Sequence, residues 1–193
     1  VFGRTFSALI LGEMIAYDGK ADFLTQAELE QILEAGLHYL AEEQDLRGYV
    51  PDKGWAHSAA HTADLLFALV RHPGLGVAEM ARLLDGIAQK VLAPTRYPFV
   101  DSEGFRLARP IIAVLEREAL PLADVVAWVE RVGGTDRRNS FVAGRDNAWH
   151  HNTMALLTAL HLMITYREVP ESARTEVLPA VHRALKSFIP WFL

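Results

Sequence analysis

The chain has 193 residues, no cysteine and a formal net charge of −5 at pH 7. That length suits one domain with one substantial core, and a mildly acidic balance with scattered Lys and Arg argues against a nucleic-acid partner. Without cysteine there are no disulfides, thiolate metal sites or cysteine nucleophile, which is compatible with a cytoplasmic location, and no apolar run reaches the ~20 residues that span a bilayer.

The elements read as helix after helix, with no strand pair. The chain opens at Val1 and not at Met, so an N-terminal portion is expected to have been removed. A first apolar segment, Phe2 to Tyr17, ends at the turn signal Asp18-Gly19. Thr25-Gln26-Ala27-Glu28 has the form of a capping box. The helix it opens sets Leu29, Ile32, Leu33, Leu37 and Leu40 on one stripe. Asp45 to Gly54 reads as a loop, followed by a third helix from Trp55 to Arg71 and a fourth from Val77 to Leu92. Pro94 and Pro98 precede a fifth, Glu103 to Glu118, which Pro110 should kink or divide. Pro121 suits the first turn of a sixth helix that ends at Gly133-Gly134. A polar loop, Thr135 to Asp146, leads to a seventh helix from Asn147 to Arg167, and Pro170 starts the last, which Pro179 should kink. About eight helices with short connections predict one all-α domain over residues 1–193, made of antiparallel pairs. The pairs recur roughly every fifty residues, near the period of HEAT and armadillo solenoids, and an orthogonal bundle is the competing arrangement.

Within this pattern, Asp64 is the only formally charged side chain from Gly54 to Val70. At 100° per residue His57, His61 and Asp64 share an arc of about 60° on a helix that is otherwise apolar nearly all round, and so buried. Two imidazoles one turn apart can hold one metal ion, with the carboxylate as a third ligand. The same groups can do acid–base work, or Asp64 can pair with His61 and simply tie helices together. A second uncharged stretch, Asn147 to Tyr166, places Asn147, His151, Met154, Thr158, His161 and Thr165 on one face. If the two stripes meet, His151 joins the first three. Arg47, in Asp45-Leu46-Arg47-Gly48, and Arg106, one turn from Glu103 with Arg109 beyond, suit a carboxylate or phosphate through paired donors. As surface ion pairs the same arginines contribute little. No His-Asp doublet, Glu-x-x-His pair, G-x-S-x-G elbow, P-loop or dinucleotide fingerprint is present.

Asp45-Leu46-Arg47-Gly48-Tyr49-Val50, then Lys53-Gly54-Trp55-Ala56-His57 and Ala60-His61-Thr62-Ala63-Asp64, resemble the domain-of-unknown-function family 2785. Arg4-Thr5-Phe6-Ser7-Ala8-Leu9 and Glu103 with Arg106-Leu107 extend the resemblance over most of the chain. It implies a bacterial, all-helical protein with no activity to carry over. It also marks Arg47, Trp55, His57, His61, Asp64, Glu103 and Arg106 as positions of interest.

Three functional readings follow. The preferred one is a module that binds a small molecule or a protein, as a homodimer in one variant, through a polar cleft formed by Arg47, Trp55, His57, His61, Asp64 and Arg106. The enzyme alternative is a metal-assisted hydrolase. Its divalent ion would be held by His57, His61 and Asp64, with His151 or Glu103 as further ligand or base. The third is a scaffold whose polar stripe only specifies helix packing.

Overall fold

The computed structural model describes residues 1–134 and 147–189. The predicted polar loop at 135–146 lies outside them. Among the described residues are eight α-helices: α1 Phe2–Ala21, α2 Gln26–Glu42, α3 Ser58–Arg71, α4 Val77–Leu92, α5 Glu103–Glu116, α6 Leu122–Val132, α7 Ala148–Tyr166 and α8 Leu178–Phe188. The chain is all-α apart from one two-stranded antiparallel pair, β1 Tyr49–Val50 and β2 Gly54–Trp55. No described helix is long and apolar enough to cross a membrane.

The helices form two rows. In one, α1, α3, α5 and α7 pack side by side in that order, and in the other α2, α4, α6 and α8 follow one another. Contacts of α2 with α3, α4 with α5 and α7, and α7 with α8 join the rows. Helix α3 lies between α1 and α5 and buries every residue except Asp64, Phe67 and Arg71. Two glycines sit at close contacts in this row, Gly12 between α1 and α3 and Gly104 between α5 and α7. A Cβ on Gly12 of α1 would stand 3.2 Å from the Leu65 Cα, and one on Gly104 of α5 would stand 2.8 Å from the Ala155 carbonyl carbon on α7.

Four local features differ from the sequence expectation, each for a physical reason. Helix α1 runs through Asp18-Gly19 and stops at Ala21, because the buried Asp18 carboxylate accepts the N–H groups of Phe23 (2.6 Å) and Leu24 (2.9 Å) beyond the helix end. The segment read as a loop contains the β1–β2 hairpin. Its turn places Pro51 before Asp52 (φ 64°) and closes with Lys53 N–H on the Val50 carbonyl at 3.1 Å, as in a type II turn. Helix α3 begins at Ser58 and not Trp55, because His57 takes a left-handed conformation (φ 49°). Pro110 does not divide α5, and in place of a kink at Pro179 the chain makes a π turn, Ala173–Val177, with Pro179 in the first turn of α8.

The capping box forms as expected, with Thr25 and Glu28 satisfying each other's backbone donors. One surface is unusual for its composition. Phe6, Ile10, Met14 and Tyr17 follow one another along the outer face of α1, exposed by 43%, 59%, 43% and 66%.

The α5–α7 contact gives a direct test. Gly104→Ala puts a methyl group against the backbone of Ala155, which no side-chain rotation relieves, so the two helices must separate. A loss of about 1–3 kcal/mol is expected, read as a lower urea midpoint at unchanged m-value.

Candidate functional site

The three polar groups of the central stripe point to three different partners. His57, just ahead of α3, donates its N–H to the Arg47 carbonyl and accepts the His61 N–H on its own carbonyl, both at 2.9 Å. Its ring stacks on Trp55 at 4.7 Å, and its Nε2–H donates to the Asp101 carbonyl at 2.8 Å. His61 faces α1, with Nδ1 3.0 Å from Thr5 Oγ1 and its ring 5.1 Å from that of Phe6. Asp64 faces α5, where Oδ1 accepts from Arg106 Nε and from Arg109, each at 2.8 Å, while Oδ2 takes a terminal nitrogen of Arg106. The Asp64–His61 pair considered from the sequence is therefore not made. Among the described residues no three His, Asp or Glu side chains form a group that could hold a metal ion.

The second uncharged stripe meets the first through a shared segment and not side chain to side chain. The segment between α4 and α5 has little regular structure, so its peptide groups need partners from outside. Thr95 accepts from Ala148 N–H at 2.9 Å. Asn152, fully buried, donates to the Tyr97 carbonyl (3.1 Å) and accepts the Phe99 N–H (2.7 Å). His151 Nε2–H donates to the Phe99 carbonyl at 3.1 Å, and His57 takes a carbonyl two residues further on, that of Asp101. Glu103 accepts the Asp101 N–H on Oε2 at 2.8 Å. Its buried Oε1 stands 3.4 Å from His57 Nε2 and has no hydrogen-bond partner. Asp101 Oδ2 in turn accepts the Tyr49 N–H at 3.0 Å, close against Gly48, where any Cβ would overlap it. His57, His151 and Glu103 thus hold one strap of backbone in place. Arg47 is partly exposed and folds back on Asp45, two residues away, with 2.7 and 2.6 Å contacts.

The concave feature of this region lies on the Asp64 side. A cleft of about 450 Å³ opens between α1, α3 and α5. Leu9, Ile15, Ala16 and Phe67 supply apolar wall, while Asp64, Arg106 and Arg109 supply the polar end. The Arg109 guanidinium lies 4.2 Å from the centre of the Phe67 ring, a cation–π contact. Burial lowers the proton affinity of both guanidiniums, with Arg109 adding to the effect on Arg106 and Arg167 to that on Arg109. His72, at the end of α3 and also lining the cleft, donates from Nε2 to the buried Asp18 at 2.9 Å and accepts Gly74 N–H on Nδ1 at 3.1 Å. Of the residues named from sequence, Asp64 and Arg106 line the cleft, and Arg47, Trp55, His57 and His61 do not. Arg109, noted from the sequence only as lying beyond Arg106, lines the cleft one turn further along α5, and Phe67, read there as helix flank, lines it too. Asn152 was hidden behind the neighbouring histidines.

Burial, reinforced by electrostatic interaction with the neighbouring His57 and Arg106, pushes the His61 imidazole down to about 4, against a smaller opposing effect of Thr5. Between about pH 4 and pH 6.5 the unfolded chain therefore binds a proton at this position that the folded chain does not. The resulting stability is fully present above pH 6.5, is lost as pH falls toward 4, and amounts to about 2–3 kcal/mol. In His61→Gln, urea midpoints measured from pH 7 to pH 4 should lose most of this slope.

Comparison with curated proteins and with solved structures finds no match to the chain. A family profile described as a protein of unknown function, DUF2785, matches residues 1–162. The resemblance seen in the Gly54–Asp64 stretch thus extends through α1 to most of α7, and the chain belongs to the DUF2785 family.

Proposed function

We propose that the protein is a small-ligand-binding module and that the cleft between α1, α3 and α5 is its binding site. One observation carries this reading: about 450 Å³ of concave space, walled by apolar side chains, ends on a cluster of charged groups. Binding sites for small molecules typically occupy about 300–1,000 Å³, with an apolar lining and a few polar groups that fix orientation. The histidines offered as metal ligands for a hydrolase are engaged elsewhere, His57 with a carbonyl and His61 with Thr5. The cleft reading needs neither of them. Its polar end is built instead by Asp64 of α3 and Arg106 of α5.

A blocking substitution separates this reading from a scaffold. Ala16 is exposed on the cleft wall, so Ala16→Trp fills space without entering the core. A set of neutral, cationic and anionic aromatic fragments, followed by saturation-transfer NMR, should give binders that compete for one site on the native protein. Those signals should vanish in Ala16→Trp, with the melting temperature within about 2 °C of the parent. Fragments that bind Ala16→Trp equally well would place the site elsewhere.

The outer face of α1 favours a second reading, association with another copy of the chain. Four large apolar side chains on successive turns of one helix form a stripe that can pack against itself about a two-fold axis. Sedimentation at micromolar concentration should show a dimer that Ile10→Lys with Met14→Lys converts to monomer, and a wild-type monomer rejects this reading.

A further inference from the structure

We infer that the ligand of this cleft is an organic anion, a carboxylate or phosphate head on an apolar body. The inference rests on the cleft being a binding site and adds the chemistry of what enters.

The first observation is a charge imbalance. Arg106 and Arg109 both spend hydrogen bonds on the one carboxylate of Asp64. Two positive charges therefore share one negative charge at the end of the cleft. The Asp64 side chain is only 13% exposed, whereas the side chains of Arg106 and Arg109 keep 35% and 34% of their surface. The acceptor is covered and the donors still face open space. Each guanidinium carries five N–H donors, so both retain donors after Asp64 is satisfied.

The surroundings add to the excess. Lys20 and Arg71 also line the cleft, and the other acidic group there is Glu13. Arg71 has Glu116 at 3.4 Å, but Glu116 is shared with Arg167 at 3.6 Å. This positive field sits in a chain whose net charge is −5, so it is local to the cleft and not a property of the whole surface. A planar fork with unspent donors matches carboxylate and phosphate oxygens, and partial desolvation strengthens the contact.

The second observation sets the body of the ligand. Leu9, Ala16 and Phe67 offer apolar surface in the same cleft as the guanidiniums, and Arg109 is already seated over the Phe67 ring. A bare inorganic ion would leave that wall wet. A neutral apolar molecule would leave the excess charge unmatched. An acid with an aromatic or aliphatic body answers both. On this reading Asp64 is a resident carboxylate that holds the arginines in place and competes with the incoming one.

The test is calorimetric titration of the intact chain with phenylacetate, phenyl phosphate, benzyl alcohol, acetate and inorganic phosphate. Phenylacetate or phenyl phosphate, whichever head is preferred, should bind at least roughly tenfold more tightly than benzyl alcohol and than the bare anions. Arg109→Gln should weaken the aryl anion roughly tenfold while leaving benzyl alcohol unchanged. Asp64→Asn is the sharper variant, because it removes the competing carboxylate. The aryl anion should then bind several-fold more tightly although the protein melts at lower temperature, a combination that a structural role for the arginines does not produce. Benzyl alcohol binding as well as phenylacetate overturns the anion and leaves the cleft. Acetate or phosphate binding as well as the aryl anions overturns the apolar body. Weaker aryl-anion binding in Asp64→Asn assigns the arginines to structure alone and overturns the proposal. No binding by any of the five, together with fragments indifferent to Ala16→Trp, removes the cleft reading itself.

Discussion

Helix α3 has apolar neighbours on both sides, and every polar group it carries has to find a partner on another element. Only Asp64, Phe67 and Arg71 of its residues reach past burial, and they do so on the side of the cleft. An unmatched buried polar group costs about as much as several favourable contacts provide. The arrangement around α3 answers that requirement group by group. Thr5 meets His61, the carbonyl of Asp101 meets His57, and two arginines of α5 meet Asp64. The Thr62 hydroxyl turns back on the Ser58 carbonyl at 2.8 Å. At the far end Arg117 donates to the carbonyls of Val70 and His72, which the helix leaves open. The three side chains of the stripe thus fix α3 to α1, to the α4–α5 strap and to α5.

The same logic explains why two uncharged helices carry so many amides and imidazoles. The strap between α4 and α5 crosses the ends of α3 and α7, and its carbonyls and N–H groups are partly hidden from water. His151, Asn152 and His57 satisfy them in sequence along the strap. Asp101 continues the network to the hairpin through Tyr49, and its side chain occupies the space that a Cβ at position 48 would take. The hairpin, the strap and the starts of α3 and α5 form one hydrogen-bonded unit. The most distinctive stretch of the sequence, Gly54 to Asp64, lies inside it. Of the residues that suggested a metal site, His57 holds a backbone path, His61 meets Thr5, and Asp64 stands at the concave space with its two arginines.

Asp64 belongs to both worlds. It is part of the α3–α5 attachment, and it also sets the polar end of the cleft by holding Arg106 and Arg109 in position. A group that orients donors for a ligand must itself be held, and the covered carboxylate with its two arginines has that form. His61 lies one turn away on α3 and is kept neutral over the ordinary pH range by burial and by the adjacent positive charge. It therefore contributes packing and one hydrogen bond to the wall behind the cleft, and no charge.

Local signals along the chain were enough for the all-helical class, the number of helices, the bounds of α4 and the capping box of α2. Each is written in neighbouring residues: apolar spacing for the helices, and Thr25 with Glu28 for the cap. The burial of α3 was legible too, because a stretch with one formal charge in seventeen residues (Gly54 to Val70) lacks the charged face of a solvated helix. Spacing along one helix reports only which residues share a face. It does not report what stands opposite, so His57, His61 and Asp64 looked like one site and are three attachments. Their partners lie 42 to 56 residues away in sequence, at Arg106, Asp101 and Thr5. The left-handed turn at His57 follows from the hairpin contacts of Arg47, and the run of α1 through Asp18 follows from its contacts with Phe23, Leu24 and His72. Tertiary structure decided which polar groups meet and where space is left between them, because pairing and cavity shape are properties of facing surfaces and not of one strand of sequence.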